Sequence, residues 1–378
     1  MRRFVLLGLA LLTACATPVH QAAPPVAPVA QASAASLEAK AAAPVAPSPI
    51  YVFEGVEVFG SRKVPKDKLL EVIGMPAPGA RFNLEKGEFT PYLMESKPRL
   101  LAAYKFAFCR YSMVAYPPTR TFRVTVDLVD EGDEWRMPFS PAPQGEVPEP
   151  EGLITAWREY QKAYWKLSRE GAVPEYGKSK CHALNCHGGF DHPELAPLEQ
   201  RFMEGVPRNL DTLVRVLRED RDDAKRMATL MLLPYINSRE QLVRLVLPSV
   251  KDPYEGVRNE ALRLLGTMQE GQPRVLIPLG PVLEALWYPL ETDRNKAAWA
   301  LVHIVETEGA AHQRQILDKA GTVLVEMAGM QQKTDAEPAR KVLAILAGRD
   351  LGDDPAAWHR WVEQTRGSKP PTSGRSVP

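Results

Sequence analysis

The stretch Val250-Lys251-Asp252-Pro253-Tyr254-Glu255-Gly256-Val257-Arg258-Asn259-Glu260-Ala261-Leu262-Arg263-Leu264-Leu265-Gly266 decides the fold of the larger part of this chain. Asp252 stands where a helix N-cap belongs, and Pro253 where the first turn tolerates a missing N–H. Glu255 is placed to bond back to the cap. From there Val257, Ala261, Leu264, Leu265 and Met268 recur at helical spacing, as one buried face requires. The same spacing recurs upstream in Ala224, Met227, Ala228, Met231, Leu232 and Tyr235, and downstream in Arg294, Ala297, Ala298, Leu301 and Val305. Each set reads as the second helix of a pair. The first helices are then Leu210 to Leu217, Gln241 to Val250 and Pro281 to Leu286. Aligning Arg226-x-Ala228, Arg258-x-x-Ala261 and Arg294-x-x-Ala297 gives a period in the thirties.

With an Asp before the helix and Val-Arg at its start, the pattern resembles HEAT repeats. It is strongest in the stretch quoted and degenerate around Arg340-x-x-Leu343-x-x-Leu346. The resemblance implies an all-α solenoid over residues 153–366, whose concave surface binds other proteins. An ordinary helical bundle is the alternative that the same Ala and Leu spacing allows. Asp354-Pro355-Ala356-Ala357-Trp358-His359-Arg360-Trp361 reads as a capped helix closing the open end, and residues 367–378 as a disordered tail.

Upstream, residues 50–133 read as a small α/β module. Val56-Glu57-Val58-Phe59 alternates like a strand, Gly60 to Lys63 turns, and Val64-Pro65 opens a helix through Ile73. A second helical region follows between Leu84 and Ala103, interrupted near Pro91 and Pro98. Phe122 to Leu128 alternates cleanly, which predicts one face on the core and one in water, and Phe106 to Val114 is expected as the more fully packed middle strand. This β-α-α-β-β order resembles a POTRA domain. The residues that carry the resemblance are Val56-x-Val58-x-Gly60-Ser61-Arg62-Lys63-Val64, Leu69-Leu70, Ile73, Gly79-x-x-Phe82 and Val124-x-Val126-x-Leu128-Val129-Asp130-Glu131-Gly132. The chain departs from that family at Tyr104-Lys105-Phe106, where a glycine-aromatic turn is usual. The resemblance implies protein binding by strand addition at an exposed sheet edge. Lone Cys109 reads as a small core residue. Residues 134–152, with prolines from Pro138 to Pro150, are expected as a linker to a helix carrying Trp157, Tyr160, Tyr164 and Leu167 on one face.

The N-terminus supplies an address. Arg2-Arg3 and the short apolar run Phe4 to Leu12 make a signal peptide too short to span a bilayer. Leu12-Thr13-Ala14-Cys15 resembles the lipobox of bacterial lipoproteins, which implies removal of residues 1–14 and lipid on Cys15. Ala16 in place of Asp implies outer-membrane sorting, hence an envelope lipoprotein facing the periplasm. The rest of the 15–49 segment is an Ala- and Pro-rich tether that reaches at most about 100 Å when extended.

The densest chemistry lies in Lys180-Cys181-His182-Ala183-Leu184-Asn185-Cys186-His187-Gly188-Gly189-Phe190-Asp191-His192. In an oxidising compartment Cys181 and Cys186 form a local disulfide. A metal site drawn from Cys181, Cys186, His182, His187 and His192 is a second reading, although its spacing matches no familiar motif. Covalent haem on Cys181 and Cys186-His187, with His192 or Met203 as distal ligand, is a third, and free thiols a fourth. With 47 Lys+Arg against 46 Asp+Glu, net charge +1, no overall pull toward nucleic acid exists. No nucleophile elbow, phosphate loop or zinc-protease motif is present. The expectation is therefore a non-enzymatic adaptor without cofactor, held to the membrane by lipid and docking envelope proteins. The opposing reading is an electron-transfer or metal protein built around Cys181, Cys186 and His187.

Overall fold

The computed structural model describes residues 49–173, 181–271 and 273–367. The signal peptide, Cys15, most of the tether and nearly all of the tail lie outside the described residues. Among the described residues, no helix is long and apolar enough to cross a membrane. The chain is mixed α+β, a small four-stranded sheet followed by helices.

The first unit runs β1 (Ile50–Phe59), α1 (Lys66–Ile73), β2 (Arg81–Asn83), α2 (Thr90–Ala103), β3 (Phe106–Tyr116) and β4 (Thr121–Asp130). The sheet order is β2-β1-β4-β3, with β1 and β4 parallel and the other pairs antiparallel. Gly55, at φ 130°, sits at the register shift between Phe53 and Val56, a conformation that side chains resist. Left-handed Gly74 closes α1 by donating its N–H to Leu70 O. Pro91 is harmless in the first turn of α2, while Pro98 lies inside that helix.

Two expectations for the sheet are corrected. The inner strands are β1 and β4, and among the described residues β3 lies at the edge with only β4 beside it. The second face of β4 is also not in water. Phe122, Val124, Val126 and Leu128 pack toward α1 and α2, and the alternate residues Thr125, Asp127 and Val129 are equally buried. The helical unit covers them, because hydrogen bonds run from that unit onto Asp127. Polar alternation marks two different faces, but whether water or protein meets the polar one is set by what packs there.

The helices are α3 (Leu153–Arg169), α4 (Ala196–Arg208), α5 (Leu210–Glu219), α6 (Asp223–Leu232), α7 (Arg239–Val246), α8 (Glu255–Glu270), α9 (Leu279–Ala285), α10 (Glu291–Ala328), α11 (Lys333–Ala347) and α12 (Pro355–Gly367). Asp222 and Ser238 cap α6 and α7 through their side chains. Trp157, Tyr160, Tyr164 and Leu167 form the buried stripe of α3. Helix α10 extends 38 residues, well past Val305, because Gly309 and Gly321 weaken a helix without breaking it. In α12, Trp358 is fully buried and Trp361 packs edge-on against it.

Asp252 does not serve as the expected cap. Helix α8 starts after Tyr254, and both oxygens of the Asp252 carboxylate receive Arg226 from the preceding helix pair at 2.8 and 2.9 Å, while Oδ1 also accepts the N–H of Tyr254 itself at 2.8 Å. The expected linker 134–152 is likewise a packed strap. Ser140 N–H donates to Lys251 O, Gly145 N–H to Glu219 O, and Val147 N–H to Asp220. The prolines that prevent helix leave the remaining N–H groups free to bind neighbouring helices.

Candidate functional site

Chemistry-bearing side chains gather first where the sheet meets the helices. Arg226, Arg258 and Arg294 each bond the aspartate of the next helix pair: Asp252, Asp293 and Asp335. Each also donates Nη1 to a carbonyl six residues earlier, Asp220, Asp252 and Tyr288 respectively. The third member of this ladder binds the sheet as well, since Arg294 Nη2 donates to Asp127 Oδ1 at 2.8 Å. Its guanidinium lies 3.6 Å from the centre of the Phe59 ring.

Around it, the Glu291 N–H donates to Asp127 Oδ2, and Thr334 Oγ1 donates to Glu291. Glu57 of β1 accepts the Gln331 and Gln332 N–H groups at 2.7 and 2.8 Å, which places a carboxylate at the start of α11. Buried Arg136, in the strap, donates to Gly60 O, Leu128 O and Trp287 O.

Burial sets the charges here. It pushes the Asp335 carboxyl up to about 8, with the neighbouring Glu291 and Asp127 adding to the rise. Burial raises Glu291 in the same direction and Asp293 to about 6. For Arg294 burial opposes the charge, but Asp127 and Asp335 outweigh it and hold the proton on. Burial beside Arg294 brings Arg136 down to about 10. Such a cluster holds two surfaces in one register.

In the Cys/His segment the sulfurs of Cys181 and Cys186 stand at disulfide distance, with Cα atoms 5.7 Å apart. The histidines have different partners. His182 meets Glu199 through both its N–H and its ring, and His192 Nδ1 accepts the Glu194 N–H. His187 is buried edge-on against Trp157, ring centres 4.7 Å apart, and burial lowers its pKa. Its Nε2 has no hydrogen-bond partner. Among the described residues, no group of three or more His, Cys, Asp or Glu side chains is placed to hold a metal ion. Met203 packs on the helical core. Cys109, half-buried on β3, has its thiol pushed up to about 11 by burial, away from the thiolate form.

The β3 edge is the third place. Arg110 ion-pairs with Glu255 on one face, and Tyr111 bonds Ser96 of α2 on the other. The outer side of its backbone pairs with no described strand, and Met113 is exposed there.

Sequence reasoning found the aligned arginines but read them only as markers of period, and it passed over Asp127, Arg136, Glu291 and Asp335. The available signal was an Asp in a strand otherwise rich in apolar residues, with no turn or cap nearby to use it. No protein-family model matches the chain, and no curated protein shows significant similarity to it.

Proposed function

We propose that this chain is a lipid-anchored envelope lipoprotein of the bacterial outer membrane that works without catalysis as a scaffold for other periplasmic proteins. The sheet unit is its POTRA-like module and the stacked pairs from α5 onward its HEAT-like repeats. The observation that carries the reading is the long β3 edge, which among the described residues has a strand on one side only and so offers its outer backbone donors and acceptors to a partner strand. The recurrent Arg–Asp ladder supports the repeat reading, because the same bond geometry returns in successive helix pairs. The anchor rests on Leu12-Thr13-Ala14-Cys15.

Photocrosslinkers placed at Ala107 and Met113 in living cells test the docking edge. Envelope proteins should be trapped there, and an empty result at both positions overturns strand addition. Cys15→Ser should release the protein from the membrane fraction; retention unchanged would remove the anchor from the account.

A further inference from the structure

Between α3, α6 and the turn that enters α8 lies an open pocket of ≈ 190 Å³, small for an enclosed ligand but of a size to take one ring. Trp157 and Gln161 line it from α3, Asp223 and Met227 from α6, and Tyr254 from the turn. Ala224 and Ala228 share the Met227 wall, and their short side chains keep that wall low.

The aromatic walls are fixed in advance. Trp157 is only 2 % exposed, with the rings of His187, Tyr160 and Phe202 centred 4.7, 4.9 and 5.8 Å from its own. The Tyr254 ring lies across the start of α8, where a Cβ built on Gly256 would fall 2.7 Å from it.

The polar groups of this pocket are left over in both senses. Among the described residues, nothing accepts from the buried indole N–H of Trp157. The Gln161 amide, the Tyr254 hydroxyl and the Asp223 carboxylate likewise have no hydrogen-bond or ion-pair partner there. Asp223 stands in the first turn of α6, a position that favours a carboxylate. Arg158 adds a donor, held only by a 3.7 Å contact with half-exposed Asp222.

Unmatched donors and acceptors in one small space call for a neutral ligand that both donates and accepts. An anion would face Asp223. A cation would face Arg158 and leave the indole N–H without an acceptor. Each hydroxyl of a sugar ring donates and accepts, and a ring whose hydroxyls are all equatorial keeps two C–H faces to lay against aromatic and methionine side chains.

We infer that the α3–α6 pocket binds one ring of a neutral, gluco-configured polysaccharide. The Trp157 N–H, Gln161 and Asp223 bond its hydroxyls, and Tyr254 covers one C–H face. Because the pocket is open, the neighbouring sugars of the chain pass out into solvent. The site does not depend on the β3 edge and gives the protein a second class of partner.

The test adds cellotriose to the full ¹⁵N-labelled chain, with sorbitol, an open-chain polyol without a ring face, as control. The Trp157 indole N–H resonance, identified as the one lost in Trp157→Phe, should shift with cellotriose and stay in place with sorbitol. Calorimetry supplies a second readout that does not need that variant. Gln161→Ala should weaken cellotriose binding about fivefold, the loss of one neutral hydrogen bond. Gly256→Ala removes no side chain that lines the pocket and suits a helix better, yet its Cβ displaces the Tyr254 ring. It should weaken binding while the melting temperature holds.

Failure of cellotriose to bind at millimolar concentration overturns the inference. So does an equal response to sorbitol, which leaves an adventitious additive only. Unchanged affinity in both Gln161→Ala and Gly256→Ala overturns it as well, because the sugar then sits elsewhere. None of these outcomes alters what crosslinking at the β3 edge reports.

Discussion

Arg294 is where sheet and helices become one structure. Its side chain is wholly buried and shared between Asp127 of β4 and Asp335 of α11. Replacing it by Met leaves Asp127 and Asp335 buried with no guanidinium. Breaking such a pair costs about 3–5 kcal/mol, a loss that urea denaturation will measure. The Asp335 carboxyl gives the cluster a definite pH response. Its ordinary pKa of 3.8 is raised to about 8, so the folded state keeps a proton that the unfolded chain releases. Between about pH 4 and pH 8 this group therefore makes the protein less stable as pH rises, and its effect levels off above that window. Asp335 Oδ1 has no hydrogen-bond partner, whereas Oδ2 accepts from Arg294. Asp335→Asn keeps an acceptor for Arg294 and cannot ionise. Its stability measured against pH should be flatter across that window than that of the wild type.

At the scale of elements, the same substitution at two glycines should act in opposite directions. Gly60, at φ 93°, follows β1, and a Cβ there would fall 2.4 Å from Leu128 O. Gly60→Ala should lower the melting temperature, since neither the dihedral nor the carbonyl can give way cheaply. Gly309 lies inside α10, where a Cβ would meet Val305 and Leu346 at ordinary distances of 3.4 and 3.6 Å. Gly309→Ala should raise stability by about 0.5–1 kcal/mol, the helix-propensity difference between the two residues. Calorimetry on the two variants will show whether α10 is one continuous rod. A gain at Gly309 requires helix on both sides of it.

Across the whole molecule, α1 and α2 cover one face of the sheet and the helical unit covers the other, while the strap 134–152 runs between them. Phe59 of β1 belongs to the core of the helices and not to that of its own sheet. A shared core of this kind should unfold in a single calorimetric transition. Arg294→Met should broaden it or divide it in two, because the junction is lost before either core.

Local periodicity made much of this architecture legible in the sequence. Helices α5 to α9 follow from apolar residues three and four apart, β1 and α1 from alternation and a Pro-marked start, and the nearness of Cys181 and Cys186 from proximity along the chain. These patterns survive in one dimension because helix and strand impose their own repeat on neighbouring residues. Tertiary structure alone decided that Asp127 faces Arg294 instead of water, that Asp252 answers Arg226 as well as the backbone N–H ahead of α8, and that a proline-rich stretch binds helices instead of spacing them. In each case the residue is polar in the sequence whichever partner it meets. Water, a backbone N–H and a distant guanidinium can each satisfy the same carboxylate, and only packing determines which of them are there.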